Sequence, residues 1–180
     1  MKRFLTLLVA MTVLVATTQV AAVARADDAT QPMMTDVMLA HIRSTCSTVQ
    51  ANLNRLHASD ALLRVNQGQV LLAISNRLMT PLNSRIAINQ LDGGKMTSIT
   101  STYVAQFDAF SVAYQQYEEA MTRAMQTDCT KQPAAFYTAL ADARTKRVTV
   151  HDRMVDLRKS LTDYESEFTT FTANFKGKPQ

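Results

Sequence analysis

Tryptophan is absent from this chain of 180 residues, and glycine, proline, histidine and cysteine are scarce. There are only four glycines and four prolines. No stretch alternates apolar and polar residues long enough to make a useful strand. Pro32, Pro81, Pro133 and Pro179 stand where helices begin or where the chain ends. These deficits argue against a sheet-based fold and for an all-α chain. They also remove motifs. There is no Gly-rich phosphate loop, and no serine sits in a Gly-x-Ser-x-Gly context. The three histidines, His41, His57 and His151, form no Glu-x-x-His or His-Glu-x-x-His pair. No Cys-x-x-Cys-His or paired Cys-x-x-Cys occurs. A di-iron carboxylate bundle, a zinc protease and an attached haem are therefore not expected. Methionine is plentiful, but in helical cores it is mostly filler. No cofactor, metal or catalytic residue is expected, and an enzyme is not the expected class.

What is present begins with an export signal. Lys2 and Arg3 precede an apolar run from Phe4 to about Ala16, and small residues lead to Ala24-Arg25-Ala26. A charged start, an apolar middle and a small-x-small exit are read as a secretory signal peptide over residues 1–26. The alternative is an uncleaved membrane anchor, which Thr17, Thr18 and Gln19 weaken. Cleavage would remove Lys2, Arg3 and Arg25 and no acidic residue. The 19 basic residues would fall by three, to 16 against 15 acidic ones, a net charge of +1. The alkaline balance of the whole chain is thus largely that of its leader and gives no reason to expect nucleic-acid or anionic-membrane binding. The expected location is extracellular or in the cell envelope, with membrane contact only through an uncleaved signal.

After a disordered leader over residues 27–32, one helical-bundle domain is expected over residues 33–175, followed by a disordered tail over 176–180. The first helix starts near Met33. Steps of four and three give Ile42, Cys46, Val49, Leu53, Leu56, Asp60, Leu63, Gln67, Val70 and Ile74, and one further step of four gives Leu78, as an inward seam. Ser59 or Asp60 could cap a new helix, but the seam keeps its phase, which favours one continuous helix. Thr80-Pro81 is a stronger boundary, because proline lacks an N–H and disfavours helical geometry in the residue before it. The first helix is expected to stop or kink there. A short helix should follow from Pro81 to about Leu91, ended by Asp92-Gly93-Gly94. The next helix should run from Met96 to Thr127 with Ile99, Tyr103, Phe107, Phe110, Tyr114, Tyr117, Met121 and Met125 inward. The last should run from Pro133 to Asn174, with Arg147 the one charged member of its seam. The expected fold is an elongated antiparallel bundle of three long helices plus a short connecting helix.

Cys46 and Cys129 are the only cysteines. In an exported chain an isolated pair is most simply one disulfide, the alternative being two free buried thiols. Nearly the same number of residues separates Cys46 from Thr80 as separates Met96 from Cys129. If the first helix ends at Thr80, the two cysteines are level. If it ran straight to Leu91 they would miss by roughly 16 Å at about 1.5 Å per residue. The same levels bring Asp60, Arg147 and Tyr114 together, with Gln67 about two turns away. A buried polar layer is expected in which Asp60 accepts hydrogen bonds from Arg147. It would fix helix register in the first instance and serve a ligand or proton in the second. Loss of Asp60 would strand Arg147 at a cost of several kcal/mol, about 3 or more.

By these levels the first helix projects beyond Cys46, carrying Met33, Met34, Val37, Met38, Leu39 and Ile42. That apolar projection is a candidate surface for a protein partner or a second copy of the chain. The pattern Cys46, Asp60, Arg64-Val65-Asn66-x-Gly68-Gln69, Leu78-Met79-x-Pro81-Leu82-Asn83-x-Arg85, Tyr114, Tyr117-Glu118, Asp128-Cys129-x-x-Gln132-Pro133-x-x-Phe136-Tyr137 and Arg144…Arg147 resembles a group of exported helical proteins of candidate-phyla (patescibacterial) bacteria. The resemblance spans most of the chain after the leader. It implies export and an all-helical fold and carries no activity. The sequence therefore leads to a non-enzymatic secreted or envelope-associated module acting by protein–protein interaction, as scaffold or adhesion component. The alternatives are a holdase-type extracytoplasmic chaperone and, third, a small-ligand or metal-binding bundle.

Overall fold

The computed structural model describes residues 34–176. The expected signal peptide, the leader, Met33 and the tail beyond Lys176 lie outside the described residues. The described elements are all helical: α1 (Asp36–Ala73), a π-helical turn (Ile74–Met79), α2 (Thr80–Ile88), α3 (Gly94–Gln126) and α4 (Pro133–Lys176). The expected all-α bundle with one disulfide is what is observed. No described helix is long and apolar enough to cross a membrane.

α1 opens on Thr35, whose hydroxyl accepts the Met38 N–H at 3.3 Å, a hydroxyl cap for one of the unpaired amides of the first turn. The boundary expected at Thr80-Pro81 is softer than the sequence implied. The helix neither stops nor restarts there. It widens into the π-helical turn, in which the Thr80 N–H bonds back five residues to the Ser75 carbonyl. Proline offers no N–H, and its ring presses on the carbonyl four residues earlier. A wider turn relieves that pressure and takes up an extra residue without ending the helix. α2 then carries the chain on to Ile88.

Because the helix continues, the levelling argument needs correction. A helix running this far was expected to leave the cysteines well apart, yet Cys46 and Cys129 are bonded with Cα atoms 5.6 Å apart. Two features take up part of the difference. The π turn spends residues without adding proportionate length. On the other side α3 ends at Gln126, and Thr127 is extended, so that one residue advances about 3.3 Å instead of 1.5 Å.

The turn between α2 and α3 also departs from expectation. Gly93 and Gly94 do not supply the helix stop. Gln90 does, at φ 55°, with Leu91 N–H bonded to the Ile86 carbonyl and Gln90 N–H to the Ala87 carbonyl, both at 3.0 Å. This is the Schellman arrangement, with glutamine at the left-handed position where glycine is usual. Gly93 is needed for another reason. A Cβ there would lie 2.5 Å from Ile86 Cγ2.

α3 and α4 pack closely along their length, and α1 stands further off. Buried Ala113, Ala120, Ala124 and Ala143 allow the close approach. The aromatic stripe of α3 is the centre of the molecule: Tyr103, Phe110, Tyr114 and Tyr117 are all buried. Two core clusters result. One gathers Cys46, Leu53, Tyr117, Met121, Cys129 and Phe136 around the disulfide. The other gathers Leu71, Met79, Tyr103, Phe110 and Leu157.

Between these clusters the inward seam of α1 fails. Leu63, Gln67, Val70 and Leu78, expected inward, are exposed, whereas Leu71 and Met79 are buried. A seam drawn at 3.5 residues per turn drifts about 20° per heptad from a straight helix of 3.6. After the heptad steps from Cys46 to Leu53 to Asp60, the inward face has moved one residue on, from Val70 to Leu71.

Candidate functional site

The site is built where α1 parts from the α3–α4 hairpin. A cleft of about 660 Å³ lies between the two cores, with Asp60, Leu63, Arg64 and Gln67 from α1 on one side. Phe110, Tyr114 and Tyr117 of α3 face them, and Arg144, Arg147 and His151 of α4 complete the lining.

The expected polar layer exists in altered form. Asp60 Oδ2 accepts the Tyr117 hydroxyl at 2.7 Å. Arg147 Nε is 3.6 Å from the same oxygen, and the Arg147 side chain is 57% exposed against 16% for Asp60. The pair is therefore a half-open ion pair at the mouth of the cleft, and the expectation of a buried Asp60–Arg147 couple is corrected. Arginine's long stem lets the guanidinium reach water while the methylenes stay on the helix surface. Tyr114, expected beside Asp60, is one turn away from that role. Its ring lies under Arg64, with the guanidinium carbon 4.5 Å from the ring centre, a cation–π stack. Gln67 lines the cleft and is exposed, with no part in the hydrogen-bonded layer.

Two functional-looking contacts were not anticipated. His57 Nε2 is 2.8 Å from Glu118 Oε2, both side chains about three-quarters buried. The available signal was the placement of His57 and Asp60 three apart on one face, opposite Glu118 and Tyr117, themselves neighbours on α3. The second contact is above the cleft, where the Tyr103 hydroxyl donates to the Leu71 carbonyl at 2.9 Å.

Burial dominates the electrostatics of the tyrosines. It pushes the Tyr103 phenol up to about 12. Tyr117 is raised by burial first and by the Asp60 carboxylate second, and Tyr114 by burial first and by Glu118 second. All three stay protonated donors at neutral pH. The Tyr114 hydroxyl and Glu118 Oε1 are buried without a hydrogen-bond partner. Among the described residues, no three His, Cys, Asp or Glu side chains are grouped to hold a metal ion.

The apolar projection of α1 is shorter than expected. Ile42 packs against the disulfide core, whereas Val37 is 79% exposed and Met38 also faces water. Met34 and Leu39 are partly covered. No protein-family model matches the chain, and comparison with curated proteins and with solved structures finds no significant match.

Proposed function

We propose that this chain is a non-enzymatic exported module that works by docking an apolar helical face of a protein partner along α1. The carrying observation is the exposure of large aliphatic side chains in the middle of that helix. Leu62, Leu63, Val65, Val70 and Leu72 all face water. Leu63 and Val70 are two turns apart on one flank, and Val65 and Leu72 repeat the spacing on the other. Single exposed aliphatics are ordinary, but paired rows at helical spacing match what helix-in-groove recognition uses. The disulfide fits an oxidising compartment, and that supports export.

The test is photo-crosslinking from positions 62, 65 and 72 in the native envelope, with position 145 on α4 as control. One shared discrete adduct is expected from the three α1 positions, none from position 145, and its loss in Val65→Glu/Leu72→Glu with melting temperature unchanged. Scattered or absent α1 adducts would defeat the reading. A holdase-type chaperone is the second reading, favoured by the same exposed rows. It requires that substoichiometric protein suppress aggregation of an unfolded client, and that the same double variant fail to do so.

A further inference from the structure

Independently of any protein partner, we propose that the cleft between α1 and the α3–α4 hairpin binds an amphiphilic carboxylate: one anionic head on a linear apolar body. Its volume, about 660 Å³, is in the range of small-molecule sites. It is open to solvent along its side, and residues of the two core clusters bound it above and below, so it is a short groove and not a trough running the length of the bundle. That form suits a small molecule better than a docked helix.

The chemistry of the walls divides in two. Phe110, Val150 and Met154 supply an apolar floor, with the half-exposed Leu63 and Val148 at its rim. Three guanidiniums, Arg64, Arg144 and Arg147, stand around it against a single lining carboxylate, Asp60. That carboxylate is already engaged by the Tyr117 hydroxyl and by Arg147. Glu118, the nearest further acid, holds His57. Among the described residues, neither Arg64 nor Arg144 has a carboxylate within ion-pair distance. The excess is therefore positive, and it is carried by groups that recognise carboxylates through paired N–H donors. Arg64 is held in place by its stack on Tyr114, which lowers the ordering needed on binding. The Tyr114 hydroxyl, in a buried side chain of the same wall, faces the Glu118 carboxylate, which raises its pKa, so it adds no free donor for the head group and the guanidiniums alone supply the recognition.

A cationic amphiphile would meet three like charges and a neutral one would leave the guanidiniums unused, so head-group charge is the discriminating variable. The experiment is calorimetric titration of the disulfide-bonded protein with dodecanoate below its micelle concentration, beside dodecyltrimethylammonium and dodecanol. Dodecanoate is expected to bind with one-to-one stoichiometry, more weakly as salt is raised, and to raise the melting temperature. Arg64→Gln and Arg144→Gln are each expected to weaken it about three- to tenfold, and together about thirtyfold, with the ligand-free protein still folded and Arg64→Gln lowering its melting temperature by no more than a few degrees through loss of the Tyr114 stack. Arg158→Gln, on α4 outside the cleft, should leave binding as it was. Octanedioate, anionic at both ends, should bind at least tenfold more weakly, since its second head would sit on the apolar floor. Equal binding of the cationic amphiphile, multiple weak sites, or affinity unchanged in the double variant would overturn the proposal. None of these outcomes depends on whether α1 also docks a protein.

Discussion

At the scale of single residues, Asp60 is the informative position. The sequence made Arg147 its partner and predicted a large loss on removing it. The geometry moves the weight to Tyr117, which is buried and donates at 2.7 Å. Asp60→Ala is expected to destabilise by about 1–3 kcal/mol, through the stranded tyrosine hydroxyl. Arg147→Gln should change stability by less than about 0.5 kcal/mol, because a half-exposed ion pair contributes little. In urea unfolding, adding Tyr117→Phe to Asp60→Ala should recover part of the loss; strict additivity would contradict the pairing. Gln90 offers a gain. A non-glycine residue at φ 55° carries strain that glycine does not, so Gln90→Gly should stabilise by about 1 kcal/mol. Gly93→Ala should cost about 1–3 kcal/mol by forcing Ile86 aside. Both shifts can be read from the same unfolding curves.

Asp128 sets a pH effect in the turn before α4. Its Oδ1 accepts from the Thr130 hydroxyl and from the Thr130 and Lys131 amides. Led by the Thr130 hydroxyl, these bonds hold the carboxyl below its ordinary 3.8, at about 2. A folded value below the unfolded one means the stabilisation is full above about pH 4 and is lost as pH falls towards 2. Asp128→Asn should remove that part of the acid transition. NMR titration of the Thr130 and Lys131 amides follows it directly, and a midpoint near 4 would refute the prediction.

At the scale of elements, the disulfide and the π turn decide how α1 lies on the hairpin. The bond closes a separation of 83 residues. In the chain-entropy view this is worth on the order of 4 kcal/mol. Cys46→Ser/Cys129→Ser is expected to lose about that much in urea unfolding. Amides of α1 before Leu53 should exchange first, since no other covalent tie holds that end. Wild-type exchange there in the double variant would show that packing alone seats the helix. Pro81 was legible as a punctuation mark, yet its outcome was not. Whether a proline ends a helix or only widens a turn depends on what packs around it. Here Met79 and Ile86 are both buried on either side of it and hold the helix on course.

At the scale of the whole molecule, two cores with a cleft between them define the behaviour. Hydrogen exchange should find α3 and α4 most protected and residues 61–70 of α1 least, because that segment spans the gap. Uniform protection along α1 would mean the gap is closed in solution.

Helix content and the aromatic stripe of α3 followed from local composition and periodicity, which act over a few residues and need no partner to be read, and the cysteine pairing followed from there being only two cysteines to pair. Asp60 and Arg147 were also legible as neighbours, because a last helix that starts at the level of Cys46 and runs parallel to the first brings matching levels together. Their exposure was not, and neither was the cleft. Both depend on a slow rotation of the inward face of α1 between Asp60 and Leu71, a small angle per turn that a repeat of 3.5 hides. Only the packing of the finished bundle converts that angle into a helix that leaves the hairpin, and with it into the space where a second molecule could be held.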